Sequence, residues 1–360
     1  MEKILRQEKL REWVDTLDDC EVYAPAFADS VWNFARVEAG TDIDLSHTNT
    51  IGSVKAFTFP QREVFFRFEK KDGVPVLTPT LPDPKPTVVF GVRPCDGRGM
   101  PRNDTVFGLS RHPASRDTSP SLDVEKEFED PYYWARRNKL TLVGLACNQP
   151  HSPNCFCQSV GGSPHSEEGL DILMTDLGDR FHVKGVTAKG VEAMERGRDA
   201  FDAVCDADQT EVEKVHERSH SYPQRPIGDL DAISDALRES FDSPLWADMA
   251  QHCIGCGICT FLCPTCHCFD INDEVISPTT GEGERVRTWD NCQFPDFTMH
   301  TSGHNPRGDL GSRLRQRVNH KFLYFVENHK TQQCTGCGRC ITECPVGIDI
   351  VAVLERVGQS

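Results

Sequence analysis

Residues 1–225 are expected to form an α/β domain, and residues 226–360 a mostly α-helical domain built around cysteines. Three features of the sequence carry that expectation. Two nearly continuous apolar runs, 87–92 and 140–146, read as strands buried on both faces. The segments 243–249 and 309–330 carry apolar residues at helical spacing. Cysteine is concentrated late in the chain: of 17 in 360 residues, eleven lie between Cys253 and Cys344.

Taken in order, residues 2–18 place Leu5, Trp13, Val14 and Leu17 among charges and predict an opening amphipathic helix. Strands follow at 63–68, 87–92 and 140–146. The last two each run into a cysteine, Cys95 in Gly91-Val92-Arg93-Pro94-Cys95-Asp96 and Cys147 in Ala146-Cys147-Asn148. Pro131 suits the first turn of a helix. Residues 170–174 and 181–183 predict a hairpin around Gly178-Asp179. Between residues 195 and 242, thirteen acidic residues oppose six basic ones, interrupted by Tyr222-Pro223 and Pro226-Ile227-Gly228. This predicts helices joined by a polar linker, with a domain boundary near 222–228. Ser243-Pro244 then opens a helix through Met249, and Leu314, Val318, Leu323 and Val326 share a face of a later one.

The bulk composition excludes several classes. A hydrophobic fraction of 38% with 26% charged residues is that of a globular chain. A formal net charge of −16 disfavours nucleic acid and anionic membranes as partners. The apolar runs fall far short of the roughly 18 residues that span a bilayer, and residues 1–12 have no apolar signal core. A cytoplasmic chain is expected, and there dense cysteine argues for metal rather than disulfides.

One internal repeat supplies the chemistry. The copies are Cys253-x2-Cys256-x2-Cys259-x3-Cys263-Pro264 and Cys334-x2-Cys337-x2-Cys340-x3-Cys344-Pro345. This is the bacterial ferredoxin run, in which the fourth cysteine of each run serves the other 4Fe-4S cluster. Two-residue gaps turn three thiolates toward one cuboidal cluster, and the longer gap with proline swings the fourth away. Gly255, Gly257, Gly336 and Gly338 are expected to let backbone amides approach the sulfides. Cys253, Cys256, Cys259 and Cys344 are assigned to one cluster, and Cys334, Cys337, Cys340 and Cys263 to the other. Zinc, which takes four ligands in two pairs, fits such evenly spaced runs poorly. Cys263 and Cys334 are separated by 70 residues, which predicts an all-helical ferredoxin-like module; a compact βαββαβ ferredoxin with an insertion is the alternative.

A third 4Fe-4S cluster is expected in the N-terminal domain. Cys95, Cys147, Cys155 and Cys157 supply the four thiolates, where two strand ends and one loop converge. The competing reading makes Cys95 and Cys147 buried small residues and Cys155/Cys157 a redox-labile pair. Cys266, Cys268 and Cys292 exceed the ferredoxin count; a further metal centre with His267 is weighed against packing beside the clusters. Cys20 and Cys205 are isolated and read as structural, and His300 and His304 as loop residues.

The stretches GVRPCD (91–96), ACNQPHSPNCFC (146–157), CTFLCPTCHCFD (259–270), RTWDNC (287–292) and HNPR (304–307) resemble the dicluster iron–sulfur subunits of cytoplasmic oxidoreductase complexes. That family includes the beta subunit of group 3 NiFe hydrogenases (sulfhydrogenases) and the dicluster iron–sulfur subunit of anaerobic sulfite reductase. The resemblance runs from about residue 55 to residue 360. It implies a hetero-oligomer of anaerobic metabolism, in which this chain relays electrons between a flavin-containing, NAD(P)H-linked subunit and a catalytic subunit. The catalytic subunit would be a hydrogenase, a sulfite reductase or a heterodisulfide reductase-like protein. No siroheme motif, nickel-binding cysteine pair or GxGxxG is present. The alternatives are a reductase with its own metal or thiol site at the extra cysteines, and a cluster-containing redox sensor. The sensor ranks last, because no basic DNA-reading module is evident.

Residues 301–330 hold six Lys/Arg against two Asp/Glu, including Arg307, Arg313, Arg315, Arg317 and Lys321. Three readings stay open: a solvated helix face, a docking surface for an acidic partner, or positive charge beside a reduced cluster.

Overall fold

The computed structural model of the chain describes residues 1–38, 43–47, 49–108 and 129–359. Twelve strands among them form two sheets. The larger sheet comprises β1 (Glu2–Arg6), β2 (Glu21–Ala28), β3 (Val31–Arg36), β6 (Thr87–Val92), β7 (Leu140–Leu145), β8 (Ile172–Asp176), β9 (Arg180–Gly185) and β10 (Phe201–Asp202). Their order across it is β10-β1-β9-β8-β7-β6-β2-β3. The smaller sheet comprises β4 (Arg62–Lys71), β5 (Val74–Pro79), β11 (Phe269–Ser277) and β12 (Glu282–Trp289), in the order β11-β12-β4-β5.

Strands β2, β6, β7 and β8 run parallel at the centre of the larger sheet, and the flanking pairs are antiparallel. Every residue of β7 is buried, as is all of β6 but Thr87, which accounts for their unbroken apolar sequence. One face packs Trp13, Val14 and Met194 from the helices Leu10–Asp15 and Ala188–Arg196; the other packs Val89, Met100 and Leu142. The α/β reading of the N-terminal part therefore holds. The hairpin expected around Gly178 is β8–β9, and the helix begun by Pro131 is Pro131–Lys139, its first turn capped by the Asp130 carboxylate.

Residues 2–6 depart from the expected opening helix. They form β1, which pairs antiparallel with β9 and buries Ile4 and Leu5; only Leu10–Asp15 is α-helical. A short strand with two buried residues and a short helix with Leu10, Trp13 and Val14 buried leave nearly the same apolar spacing as one longer helix.

The C-terminal part is helical around the cysteine runs but not throughout, which corrects the all-helical module. Between the runs lies the long β11–β12 hairpin, and β12 pairs with β4, so the smaller sheet takes strands from both sides of residue 225. Nearly all of β11 is exposed on both faces, and its alternation of Phe269 and Ile271 with Asp270 and Asn272 is broken by Asp273 and Ile276, which leaves only a short strand signal. The helices Leu230–Glu239, Leu310–Asn319 and Ile350–Val357 pack around Trp246, Phe322 and Leu354, joined by Phe156 and Val160 from the N-terminal part. Residues 310–329 form one helical rod interrupted by a π turn, His320–Tyr324. That turn leaves carbonyls free for other partners: Gln333 N–H donates to Lys321 O (3.0 Å) and Ser234 Oγ to Phe322 O (2.6 Å). Among the described residues no helix is long and apolar enough to cross a membrane.

Candidate iron–sulfur centres

Each cysteine run is a loop followed by a short helix, Ile258–Phe261 in the first and Arg339–Thr342 in the second, and the two helices pack together. The paired glycines adopt left-handed backbone, Gly255 at φ +68°, Gly257 at +78°, Gly336 at +69° and Gly338 at +76°. This conformation curls each loop so that amides face sulfur. Gly255 N–H donates to Cys253 Sγ (3.4 Å), Gly336 N–H to Cys334 Sγ (3.4 Å) and Ile348 N–H to Cys344 Sγ (3.2 Å). Such donors favour a thiolate over a thiol.

Twelve of the 17 cysteines fall into three groups. Cys253, Cys256, Cys259 and Cys344 line one cavity, roofed by Leu314 and Arg317. Cys344, some ninety residues from the others, is thus brought to the first run, as the crossed ferredoxin pattern requires. In the second group, the Cys334 and Cys337 thiols each lie within electrostatic reach of Cys263 and Cys340. The third cavity is lined by Cys95, Cys147, Cys155 and Cys157, the four residues singled out in the N-terminal part. Cys95 and Cys147 sit just beyond the carboxyl ends of the parallel neighbours β6 and β7, where open α/β sheets place their sites.

The third cavity adjoins the second group. Gly336 and Cys337 line it too, and Phe156 N–H donates to Gly336 O (2.9 Å). A Cβ on Gly336 would lie 2.5 Å from Cys157 Cα, and one on Gly338 would lie 2.6 Å from Asn154 O. These two glycines therefore serve loop-against-loop contact as well as chain reversal. A buried ion pair locks the junction: Arg339 donates to both Asp96 oxygens at 2.7 Å, with 3% and 0% of the two side chains exposed. Neither residue was singled out from sequence, although each is the immediate neighbour of a candidate ligand, Cys95 or Cys340.

The donor chemistry suits clusters and not single ions. Among the described residues no three His, Cys, Asp or Glu side chains converge closely enough to hold one metal ion. Tetrahedral zinc, with Zn–S near 2.3 Å, requires such convergence; thiols ringing a cavity do not supply it. Burial raises the Cys147 and Cys334 thiols to about 12 and about 11, with Arg93 and Lys321 pulling them back. Loading iron must therefore displace thiol protons.

Positive charge is buried beside the same sulfurs. Lys55, Arg317 and Lys321 are each less than 5% exposed. Lys321 Nζ donates to Cys263 Sγ (3.3 Å) and Thr265 Oγ1 (3.2 Å). Lys55 Nζ donates to Cys266 O (3.0 Å) and Thr260 O (3.3 Å) and lies 4.2 Å from the Trp289 ring centre. The basic run of 307–321 is thus no simple docking face. Arg313 turns inward to Arg307 O (3.0 Å), and Arg315 bonds Phe241 O (2.7 Å) and stacks on the Phe241 ring. Lys55 carried no sequence signal, being one lysine in a short 3-10 turn.

Cys266 and Cys268 follow Cys263 closely, and Cys268 meets Cys292 where the hairpin closes, Asp290 N–H donating to Cys268 O (3.0 Å). Contact with the Cys268 thiol, against the opposing effect of burial, lowers the Cys292 thiol to about 5. His267 directs Nδ1 to Thr265 O (3.2 Å) and packs against His320, while burial lowers its pKa to about 4. A further metal centre on these residues is not assembled among the described residues. One neighbour that sequence reasoning missed is His151, whose Nε2 lies 3.0 Å from Cys147 Sγ. His300 and His304 form a turn, His300 N–H donating to His304 O (2.8 Å). Cys205 begins the helix Asp206–Ser221 and Cys20 contacts Arg196, both away from the three groups.

Comparison with known proteins agrees with this chemistry. Residues 252–348 match the family model described as a 4Fe-4S dicluster domain, so the chain carries 4Fe-4S chemistry in the segment holding both runs. The chain belongs to the dicluster iron–sulfur family of hydrogenase beta subunit-like proteins. It is 30% identical to sulfhydrogenase 2 subunit beta of Pyrococcus furiosus over 358 residues, 98% of this chain and 97% of that protein. No solved structure matches it.

Proposed function

We propose that the chain is the electron-relay subunit of a cytoplasmic, hetero-oligomeric oxidoreductase complex of the hydrogenase type, with three 4Fe-4S clusters in a row. Cys95, Cys147, Cys155 and Cys157 hold one end. Cys263, Cys334, Cys337 and Cys340 hold the middle, and Cys253, Cys256, Cys259 and Cys344 the other end. The observation that carries this reading is the seating of the Cys155–Cys157 loop on the Gly336–Gly338 loop, which leaves Cys337 bordering the third cavity. At the opposite end Cys256 is exposed and Ile254 is 63% exposed, giving a partner close access to the outer cluster. A row with a buried middle and an accessible end moves single electrons through the chain and needs no substrate site of its own. Its partners in this reading are a flavin-containing, NAD(P)H-linked subunit and a catalytic subunit; that the hydrogenase relative is itself named as a subunit supports a hetero-oligomer.

Iron and acid-labile sulfide analysis of the anaerobically purified chain tests the cluster number. About twelve irons per chain are expected, and about eight would remove the N-terminal cluster while leaving the dicluster. Purification from the native host tests the partners. A co-purifying flavoprotein and a hydrogenase-type subunit are expected, whereas a solitary chain that reduces a substrate would replace the relay with a reductase.

A further inference from the structure

We propose that Lys321 and Arg317, two cations one turn apart on the rod between the cysteine runs, set the reduction potentials of the dicluster by holding fixed positive charge against its sulfurs. The inference rests on the cluster reading above but concerns residues that ligate nothing. Lys321 is 2% exposed and Arg317 4%. A buried cation is ordinarily paired with a carboxylate, because its desolvation otherwise costs several kcal/mol. Among the described residues neither finds one. Lys321 Nζ bonds Cys263 Sγ at 3.3 Å and Thr265 Oγ1 at 3.2 Å. Arg317 makes a long contact of 3.5 Å to Cys259 O, its Nε has no partner, and its side chain lines the cavity of the first group. The anions that offset these charges are sulfur.

The fold goes out of its way to put Lys321 there. It lies in the π turn His320–Tyr324, a rare one-turn irregularity that shifts the register of the rod. Gln333, next to Cys334, bonds the carbonyl that the turn exposes, which fixes the turn to the second run. One-electron reduction of a thiolate-ligated cluster adds a negative charge in a poorly solvated site. Fixed positive charge favours the reduced form and so raises the potential. Lys321 touches Cys263 and so acts chiefly on the middle cluster; Arg317 stands between Cys259 and Cys340 and acts on both.

The test is an EPR-monitored redox titration of the anaerobically purified full chain, with iron content measured on each sample. Lys321→Gln is expected to keep its iron and shift the middle cluster to a more negative midpoint, with Lys321→Arg staying near wild type. Arg317→Gln is expected to shift both dicluster signals in the same direction. Unchanged midpoints in iron-replete Lys321→Gln and Arg317→Gln would overturn the proposal, as would an equal shift in Lys321→Arg and Lys321→Gln. If Lys321→Gln loses iron, Arg317→Gln against Arg317→Lys decides by the same comparison. A wild-type chain holding fewer than about eight irons would instead overturn the cluster reading itself.

Discussion

Arg287 and Glu63, each 2% exposed, form a buried ion pair across neighbouring strands, and Arg287 also bonds the Asp130 carboxylate. The Phe59, Phe65, Phe107 and Phe269 rings surround the guanidinium at 5.1–5.4 Å. The pair ties β12 to β4 and to the helix that Asp130 caps. Arg287→Met is expected to leave Glu63 buried with Arg136 as its remaining cation, destabilising the chain by about 3–5 kcal/mol, read by chemical denaturation. Cys292 belongs to a different class of residue. It contacts Cys268, Thr260 Oγ1 (3.8 Å) and Gln293 Nε2 (3.5 Å), and enters none of the three cysteine groups. Cys292→Ser is therefore expected to leave total iron unchanged; loss of a whole centre would make Cys292 a ligand.

The glycines of the two runs share one backbone conformation but have different neighbours. A Cβ on Gly255 would come no closer than 3.5 Å to Gln293 O, so Gly255→Ala is expected to cost only the left-handed strain, about 1–2 kcal/mol. On Gly336 the same methyl would lie 2.5 Å from Cys157 Cα. Gly336→Ala is expected to push the loops apart and lower the iron content of the middle and N-terminal clusters together, while Gly255→Ala retains it. The pattern of glycine and cysteine was legible in the sequence, as was the pairing of Cys344 with the first run, because the chemistry fixes that spacing. The convergence of Cys95 and Cys147 was legible because buried parallel strands deliver their ends to one edge. Strand β1 was not, since five residues with two buried positions do not distinguish a strand from a helical turn. The β11–β12 hairpin escaped because β11 is almost wholly exposed and alternates only briefly, and the π turn because register within a helix leaves no compositional trace. Lys55 and Arg339 are ordinary basic residues until the fold buries them.

For the whole molecule, the cysteine groups and the buried cations form one electrostatic unit. Removing iron anaerobically with a chelator would return the buried thiols to their protonated form and leave Lys321 and Arg317 facing neutral sulfur. Chelated protein is expected to melt at a lower temperature than the iron-replete chain, with the C-terminal core around Trp246 and Phe322 the most affected. Differential scanning calorimetry of the two forms would read the difference. An unchanged melting temperature would mean that the cations are balanced by something other than the clusters.

The pairing of β4 with β12 also imposes an order on biosynthesis. Strand β4 ends at Lys71 and β12 begins at Glu282, so roughly 210 residues must leave the ribosome before the sheet can close. At about 5–20 residues per second this is a wait of about 10–40 s, with Phe65, Phe66 and Phe68 lacking their final neighbours. On the proposed assignment the outer cluster would wait longer, because Cys253, Cys256 and Cys259 are joined in their cavity by Cys344. Iron delivered to the nascent chain would meet an incomplete ligand set. On the proposed ligand assignment, maturation would thus be a late event, acting on a nearly finished polypeptide.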